Sequence, residues 1–371
     1  MSGRSILAAG MLAGTIIGAG VFALPYVVGT VGIATGLFYL CGAALVYYVV
    51  HRMYAAVLAE APRGTQFFGL ARMLFSPRVA PLASYLILGE LLFVMVVYLA
   101  LAPAFIELLV PWPRETAVAF FWFFGSLFVF ARLVWQGVAE LLGTLFIAGI
   151  VGVVLFAGGA APLAAPAFRP LDPSLFFLPL GPLLFSFSGR PALHAVVEEW
   201  RRAKEEHKAF SLRRVIAWGT FIPAAVYSIF IVAVLRLAPD VAPEALASLQ
   251  SLPLGLLAAL GGMGLVTLWT SYFMIGSNVK DIVHLDLKLP AWAGALLTLA
   301  APLGIYLAGF NTFFSAIAFT GSVFLGLEGI LVVMLWRRAF PVHRFRALAA
   351  PLALVFMAAL GYELLSRFSL V

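Results

Sequence analysis

Apolar stretches of about twenty residues or more follow one another along almost the whole chain, each long enough to cross the ~30 Å hydrocarbon core of a bilayer as a helix. Eleven can be drawn, near 5–28, 31–59, 79–110, 116–134, 137–160, 174–197, 212–237, 254–280, 290–307, 311–336 and 347–366. Charged residues make up 11% of the chain and hydrophobic residues 64%, against roughly 25% and 45–50% in soluble domains. Such a chain lacks the polar groups to cover itself in water. Low hydrophobicity is what disorder requires, so disorder is excluded as well. The single cysteine, Cys41, excludes a disulfide framework and a thiolate metal cluster, and the five histidines show no metal-ligand spacing. The expected class is an all-α polytopic membrane protein.

The first stretch follows Arg4 and could be taken for a cleaved leader. It carries Gly14, Gly18, Gly20 and Pro25 and lacks a leucine-rich centre, so it is read as span one. The net charge of +7 does not point to nucleic acid, because the basic residues sit between apolar runs. With the N-terminus in the cytoplasm, 18 Lys/Arg fall inside, while Arg114, Arg169, Arg236 and Arg367 fall outside and Arg190 lies within a span. This asymmetry predicts a cell-membrane protein with its N-terminus cytoplasmic and its C-terminus extracellular. The one long charged run, VVEEWRRAKEEHKAFSLRR at 196–214, reads as a solvated helical extension of span six, with Glu198 and Arg202 one turn apart and Glu206 similarly spaced from its neighbours.

Two spans are interrupted. GTIIGAGVFALP, residues 14–25, has three glycines within seven positions and then a proline. SFSGRP, residues 186–191, sets two serines, a glycine and an arginine before Pro191, which is expected to push Arg190 out of helical geometry. The breaks lie about 170 residues apart, as the difference between Gly18 and Ser188 shows. They predict two five-span repeats, about 5–160 and 174–336, the second inverted, with an extra helix at about 347–366. Interrupted helices at matching places in inverted repeats point to a secondary transporter. Freed amides of span one and freed carbonyls of span six suit a zwitterion.

These residues resemble a family. GTIIGAGVFALP is similar to the first helix of the amino acid/auxin permease group within the APC superfamily. That group includes bacterial tyrosine and tryptophan permeases and animal sodium-coupled neutral amino acid transporters. LPLGPLLFSFSG at 178–189 resembles its sixth helix, and TSYFMIGSNVKDI at 270–282 its eighth. The resemblance implies the fold of the bacterial leucine transporter LeuT, with five plus five inverted helices and an eleventh. It implies that amides around Ala19, Gly20 and Val21 hold a substrate carboxylate. Backbone around Phe185, Ser186 and Ser188 would meet the amine, with Phe22 and Phe187 as pocket or gate residues and Trp269 nearby. It implies a sodium site from Gly14 and Ile17 carbonyls with Thr267, Thr270 and Ser271; oxygen ligands suit a hard cation. No other cofactor is implied. Coupling to a proton, or exchange, is the alternative. The resemblance favours a neutral or aromatic amino acid carried by sodium symport; nothing in the sequence sets which amino acid, or the oligomeric state.

Arg190 departs from the family pattern. An intramembrane arginine needs a cavity or a carboxylate, and Glu90 and Glu328 are the expected partners. The trio is read as a gate lock or a coupling device. His194, one turn on, could titrate near neutrality. Glu140 is expected to pair with Arg132 at a membrane edge, and Arg236 and Asp240 to cap span seven or rim a gate. An intramembrane protease would need Gly-x-Ser-Gly, whereas Ser186 occupies the position two before Ser188, and no His-Glu-x-x-His occurs. A channel would need a charge ring that the breaks do not supply. A carrier, not an enzyme, is expected.

Overall fold

A computed structural model of the chain describes residues 3–129, 136–159, 172–238, 241–250, 252–343 and 346–368. The described chain is helical throughout. Helix α1 (Gly3–Ile16) gives way to a tight 3-10 turn, Ala19–Phe22, and then to α2 (Leu24–Val31). The two halves are bent by 49°. Gly32, at φ 89° and ψ 144°, turns the chain into α3 (Ile33–Glu60), a conformation open to glycine and costly for other residues. A short amphipathic helix, α4 (Phe67–Leu74), precedes α5 (Ala80–Ile106), α6 (Arg114–Val129) and α7 (Gln136–Gly158).

The second half begins with α8 (Leu180–Phe187) and α9 (Arg190–Glu205), followed by α10 (Leu212–Leu237), α11 (Leu254–Asp281) and α12 (Ala291–Leu307). Then α13 (Phe313–Phe319) runs through a wide π turn, Thr320–Leu325, into α14 (Gly326–Ala339), and α15 (Ala349–Arg367) closes the fold.

Each of the eleven expected stretches contains helix. Among the described residues six helical segments are long and apolar enough to cross a bilayer unaided, and the bent α1–α2 pair makes a seventh. The others are shorter: α12, at 17 residues, spans only about 26 Å at ~1.5 Å per residue. Large apolar side chains such as Phe156 (83% exposed) and Phe38 (77%) stand on the outside, where lipid tails rather than water suit them.

One expectation is corrected at the second break. Arg190 is not the residue forced from the helix; it opens α9, and Ser188 and Gly189 carry the irregular backbone. A proline in the first turn lacks only an amide that no helical carbonyl would have accepted. Neither α4 nor the π turn was anticipated, because both are too short to leave a periodic signal.

Packing groups the helices into two sets that are joined where α10 lies on α7. α1 lies on α9 and α10, and α3 on α9, α10 and α14. α11 lies on α5, α6, α7 and α12. The α8 backbone meets the π turn at a glycine pair, where a Cβ on Gly321 would strike the Gly181 carbonyl and lie 3.1 Å from the Phe185 amide nitrogen. Gly321→Ala is therefore expected to destabilise the protein by about 1–3 kcal/mol through overpacking. Gly10→Ala, with no neighbour within 4 Å, should not. Thermal unfolding in detergent checks this; equal melting temperatures for the two variants would refute it.

Candidate binding site at the two helix breaks

The two breaks touch. Gly20 packs so closely on Ser186 that an added Cβ would clash with its hydroxyl and lie 2.8 Å from its Cα. Gly18 is extended (φ −135°, ψ −157°), which ends α1 and starts the 3-10 turn. Within that turn the Val21 amide donates to the Gly18 carbonyl (3.2 Å) and the Ala23 amide to Gly20 (3.2 Å). The Val21 amide, expected among the carboxylate donors, is thus already engaged in this conformation. Ala19, Gly20, Val21 and Phe22 are all buried. Phe22 meets Phe105 and Phe230 edge to face, at 5.2 and 6.0 Å. Ser186 and Phe187 are buried, while Phe185 and Ser188 are half-buried. The Ser186 hydroxyl donates back to the Pro182 carbonyl (2.7 Å), which leaves its backbone carbonyl as the group facing the break.

A residue outside the expected set joins the breaks. The Tyr227 hydroxyl, fully buried on α10, is 2.6 Å from the Ile16 carbonyl and 2.8 Å from the Ser186 carbonyl. One phenol proton therefore serves two carbonyls, one released by each break. The signal was available: a tyrosine in the middle of an apolar helix, four residues after Pro223, must find a partner for its hydroxyl. Which partner was not legible. Phe187 packs on the Tyr227 ring at 5.5 Å and on Tyr47 at 6.2 Å.

The expected sodium ligands fall on two helices with different neighbours. Gly14 lies in the last turn of α1 and Ile17 just beyond it, and Thr267, Thr270 and Ser271 lie on α11. The Thr270 hydroxyl donates to the Thr267 carbonyl (2.9 Å) and the Thr267 hydroxyl to Met263 (2.8 Å). Ser271 hydrogen-bonds Tyr98 on α5. The hydroxyls thus serve their own helix and α5 in this conformation. Gly14, Ile17, Thr270 and Ser271 are nevertheless half-exposed, so both halves are accessible. Trp269, beside them, stacks on Phe121 at 6.1 Å.

Arg190 finds both expected carboxylates. Its Nε donates to Glu328 Oε2 at 2.6 Å, and an Nη2 lies 3.5 Å from Glu90 Oε1. Phe67 of α4 covers the guanidinium at 5.1 Å, and Tyr54 hydrogen-bonds it. The π turn precedes Glu328 and sets the face that α14 presents; such turns recur at functional sites. The cluster ties α9 to α5 and α14.

One end of the molecule carries an exposed ion-pair belt. Arg4 meets Glu206 (2.7 Å) and Glu199 (3.7 Å), and Arg63 meets Glu205 (2.6 Å) and Glu198 (3.5 Å). The 196–214 run is helical to Glu205 and again from Leu212, where α10 begins; Glu206 lies beyond α9 and pairs with Lys208 and Arg4 instead of a helical neighbour. Lys208, with Arg4 and against slight desolvation, holds the Glu206 carboxyl below its ordinary range. Arg236 donates to the Gly159 carbonyl (3.1 Å). Asp240, Arg132 and the Glu140 side chain lie outside the described residues.

Removing the Tyr227 hydroxyl leaves two buried carbonyls without a donor. Tyr227→Phe is expected to cost about 1–3 kcal/mol, read as a lower melting temperature in detergent. An unchanged value would mean that the two carbonyls find other donors.

The fold is shared with solved transporters. Over 97% of this chain and 90% of the other, it is similar to Mhp1, a nucleobase-cation-symport-1 family transporter in a closed conformation with bromovinylhydantoin bound (12% identity, TM-score 0.61). It is similar to MhsT in complex with L-phenylalanine over 97% and 98% of the two chains (16% identity, TM-score 0.59). It is also similar to the manganese transporter of Eremococcus coleocola over 98% and 85% (13% identity, TM-score 0.58). This is the LeuT-like architecture, five plus five inverted helices with the first and sixth broken and an eleventh added. A bound hydantoin, a bound phenylalanine and a manganese transporter all go with this one scaffold, so the fold does not choose the ligand. No curated protein matches the chain in sequence. The model of the transmembrane amino acid transporter protein family matches residues 3–234. By that match over more than half its length, the chain belongs to the transmembrane amino acid transporter family and is a multi-pass carrier rather than an enzyme.

Proposed function

We propose that the protein is a secondary symporter of neutral or aromatic amino acids, driven by sodium and working by alternating access in the cell membrane. The observation that carries this reading is the contact of the two helix breaks, Gly20 against Ser186, with one freed carbonyl from each held by Tyr227. An amino acid offers complementary groups: a carboxylate for amides near Ala19 and Gly20, and an ammonium for carbonyls of Phe185, Ser186 and Ser188. The substrate ammonium and the Tyr227 proton compete for the Ser186 carbonyl. Binding therefore releases Tyr227 from one break and loosens the clamp between them. Phe22 and Phe187 flank this point and form the apolar wall that favours an uncharged side chain. The description of MhsT with L-phenylalanine supports an amino acid of that kind.

Sodium would join the two packing sets. In the conformation described here Gly14 and Ile17 sit with α9 and α10, and Thr267, Thr270 and Ser271 with α5, α6 and α7. A cation that takes carbonyls from one set and hydroxyls from the other binds well only when the two approach. That difference in affinity is what couples ion to movement. The symport family of Mhp1 is a cation symport family by name, which supports the coupling mode. The repeats run about 5–160 and 174–336. The end that carries Arg4, Arg63 and the 196–214 run is cytoplasmic, with the N-terminus there and the C-terminus outside, in keeping with the basic excess on that side. The Arg190–Glu328–Glu90 cluster latches α9 to α5 and α14 on that side. The second reading, a proton-coupled permease or exchanger, is favoured by the excess of carboxylate in that cluster.

Sealed liposomes on a solid-supported membrane test the reading, with each of the twenty amino acids in sodium and in choline at fixed pH and ionic strength. Saturable currents that need sodium are expected, and Thr270→Ala should raise the sodium concentration for half-activation at least tenfold. Equal currents in choline, scaled by a proton gradient, would remove sodium. Silence with every amino acid would overturn the symport.

A further inference from the structure

The Arg190 cluster sets two carboxylates against one guanidinium in a place closed to water. Glu90 is 4% exposed, Glu328 5% and Arg190 9%. Glu328 takes the short bond to Arg190 (2.6 Å), while Glu90 has only a long one (3.5 Å). Glu90 Oε2 is buried and has no donor. Its carboxyl is within hydrogen-bonding reach of Glu328, and two ionised carboxylates, both acceptors only, cannot bond each other. Two like charges sharing a site do not both stay ionised beside a single cation.

Among the described residues, the groups facing the cluster offer no second cation. From α3 come Tyr47, whose hydroxyl donates to the Leu184 carbonyl (2.7 Å), and Tyr54. His51, beside the Tyr47 ring, is bonded to Thr220 (3.2 Å). From α4 comes Phe67, and from α9 His194. His194 completes a path outward. Its Nε2 lies 2.9 Å from the Tyr54 hydroxyl, and its ring also bonds the Thr65 backbone. It lines a cavity of about 290 Å³ at the ion-pair end, with Thr65, Gln66, Arg63 and Glu198.

We propose that Glu90 and Glu328 together bind one exchangeable proton, and that Tyr54 and His194 connect it to the cavity at the ion-pair end. Release breaks the carboxyl O–H bond. In the conformation described Tyr54 bonds Arg190 and His194 rather than a carboxyl, so transfer first requires its hydroxyl to swing from the guanidinium to the protonated carboxyl. It then takes that proton as it gives its own to His194 Nε2, leaving a carboxylate and an imidazolium that discharges to water. The proton site stands on its own geometry; its use as a second coupling ion rests on the transporter reading above.

Infrared difference spectroscopy of the purified full-length protein in lipid nanodiscs tests it without any amino acid. The wild type near neutral pH should show the carbonyl stretch of a protonated carboxyl, erased in Glu90→Gln and in Glu328→Gln, since either lone carboxylate then pairs with Arg190. A wild type without that band, or a band that survives in both variants, overturns the proton site. Tyr54→Phe and His194→Gln should keep the band but slow its response to a pH jump at least tenfold; unchanged rates overturn the path. Amino acid currents are read separately. A band without currents sinks the transporter reading and leaves the proton site, whereas currents without a band do the reverse.

Discussion

A carbonyl released by a helix break inside a bilayer has no water to turn to and must find its proton within the protein. This constraint organises the centre of the molecule. The breaks after Ile16 and Phe187 are about 170 residues apart in sequence but share one donor, the Tyr227 hydroxyl, at 2.6 and 2.8 Å from the two freed carbonyls. Gly20 allows the approach because no side chain stands between its backbone and Ser186. Had either position carried a larger residue, the breaks would sit farther apart and one phenol would no longer reach both. Each break keeps hydrogen bonds of its own, but one side chain links the two, and whatever displaces that side chain frees a carbonyl at both breaks together.

The same economy governs the charges. Arg190 opens α9 directly after the second break, so the helix that carries the break also carries the buried cation that ties it to α5 and α14. Breaking such a buried pair by removing one partner leaves an uncompensated charge and is far more costly than losing an exposed pair. The belt of Arg4, Arg63 and their glutamates is of the second kind: exposed, screened by salt and individually weak. A strong inner contact and a weak outer one on the same helix leave the inner one in charge of where α9 sits.

Much of this was legible in the sequence, and the reasons differ by feature. The spans could be read because length and apolarity are properties of long windows. The breaks could be read because Gly18, Gly20 and Gly189 loosen the backbone locally and Pro191 marks the start of a new helix. Arg190 pointed to Glu90 and Glu328 because buried charges need partners and few were on offer. What stayed hidden depends on rotation about a helix axis or on a neighbour far away in sequence. Tyr227 announces a need for a partner, not that the partner is a pair of carbonyls more than forty residues apart from it and from each other. Thr270 reads as a cation ligand, yet its hydroxyl also reaches the Thr267 carbonyl one turn back, and sequence does not choose between the two. The π turn at Thr320–Leu325 leaves no compositional trace, although it sets the face on which Glu328 lies.

Helix α9 runs 16 residues from its hinge at Ser188–Gly189, which makes it a lever about 24 Å long at ~1.5 Å per residue. A tilt of about 10° at the hinge moves its tip roughly 4 Å, more than enough to part hydrogen-bonded ion pairs, while the residues beside the hinge barely shift. A displacement at the helix break smaller than one atom's width would in this way be magnified several-fold at the ion-pair belt.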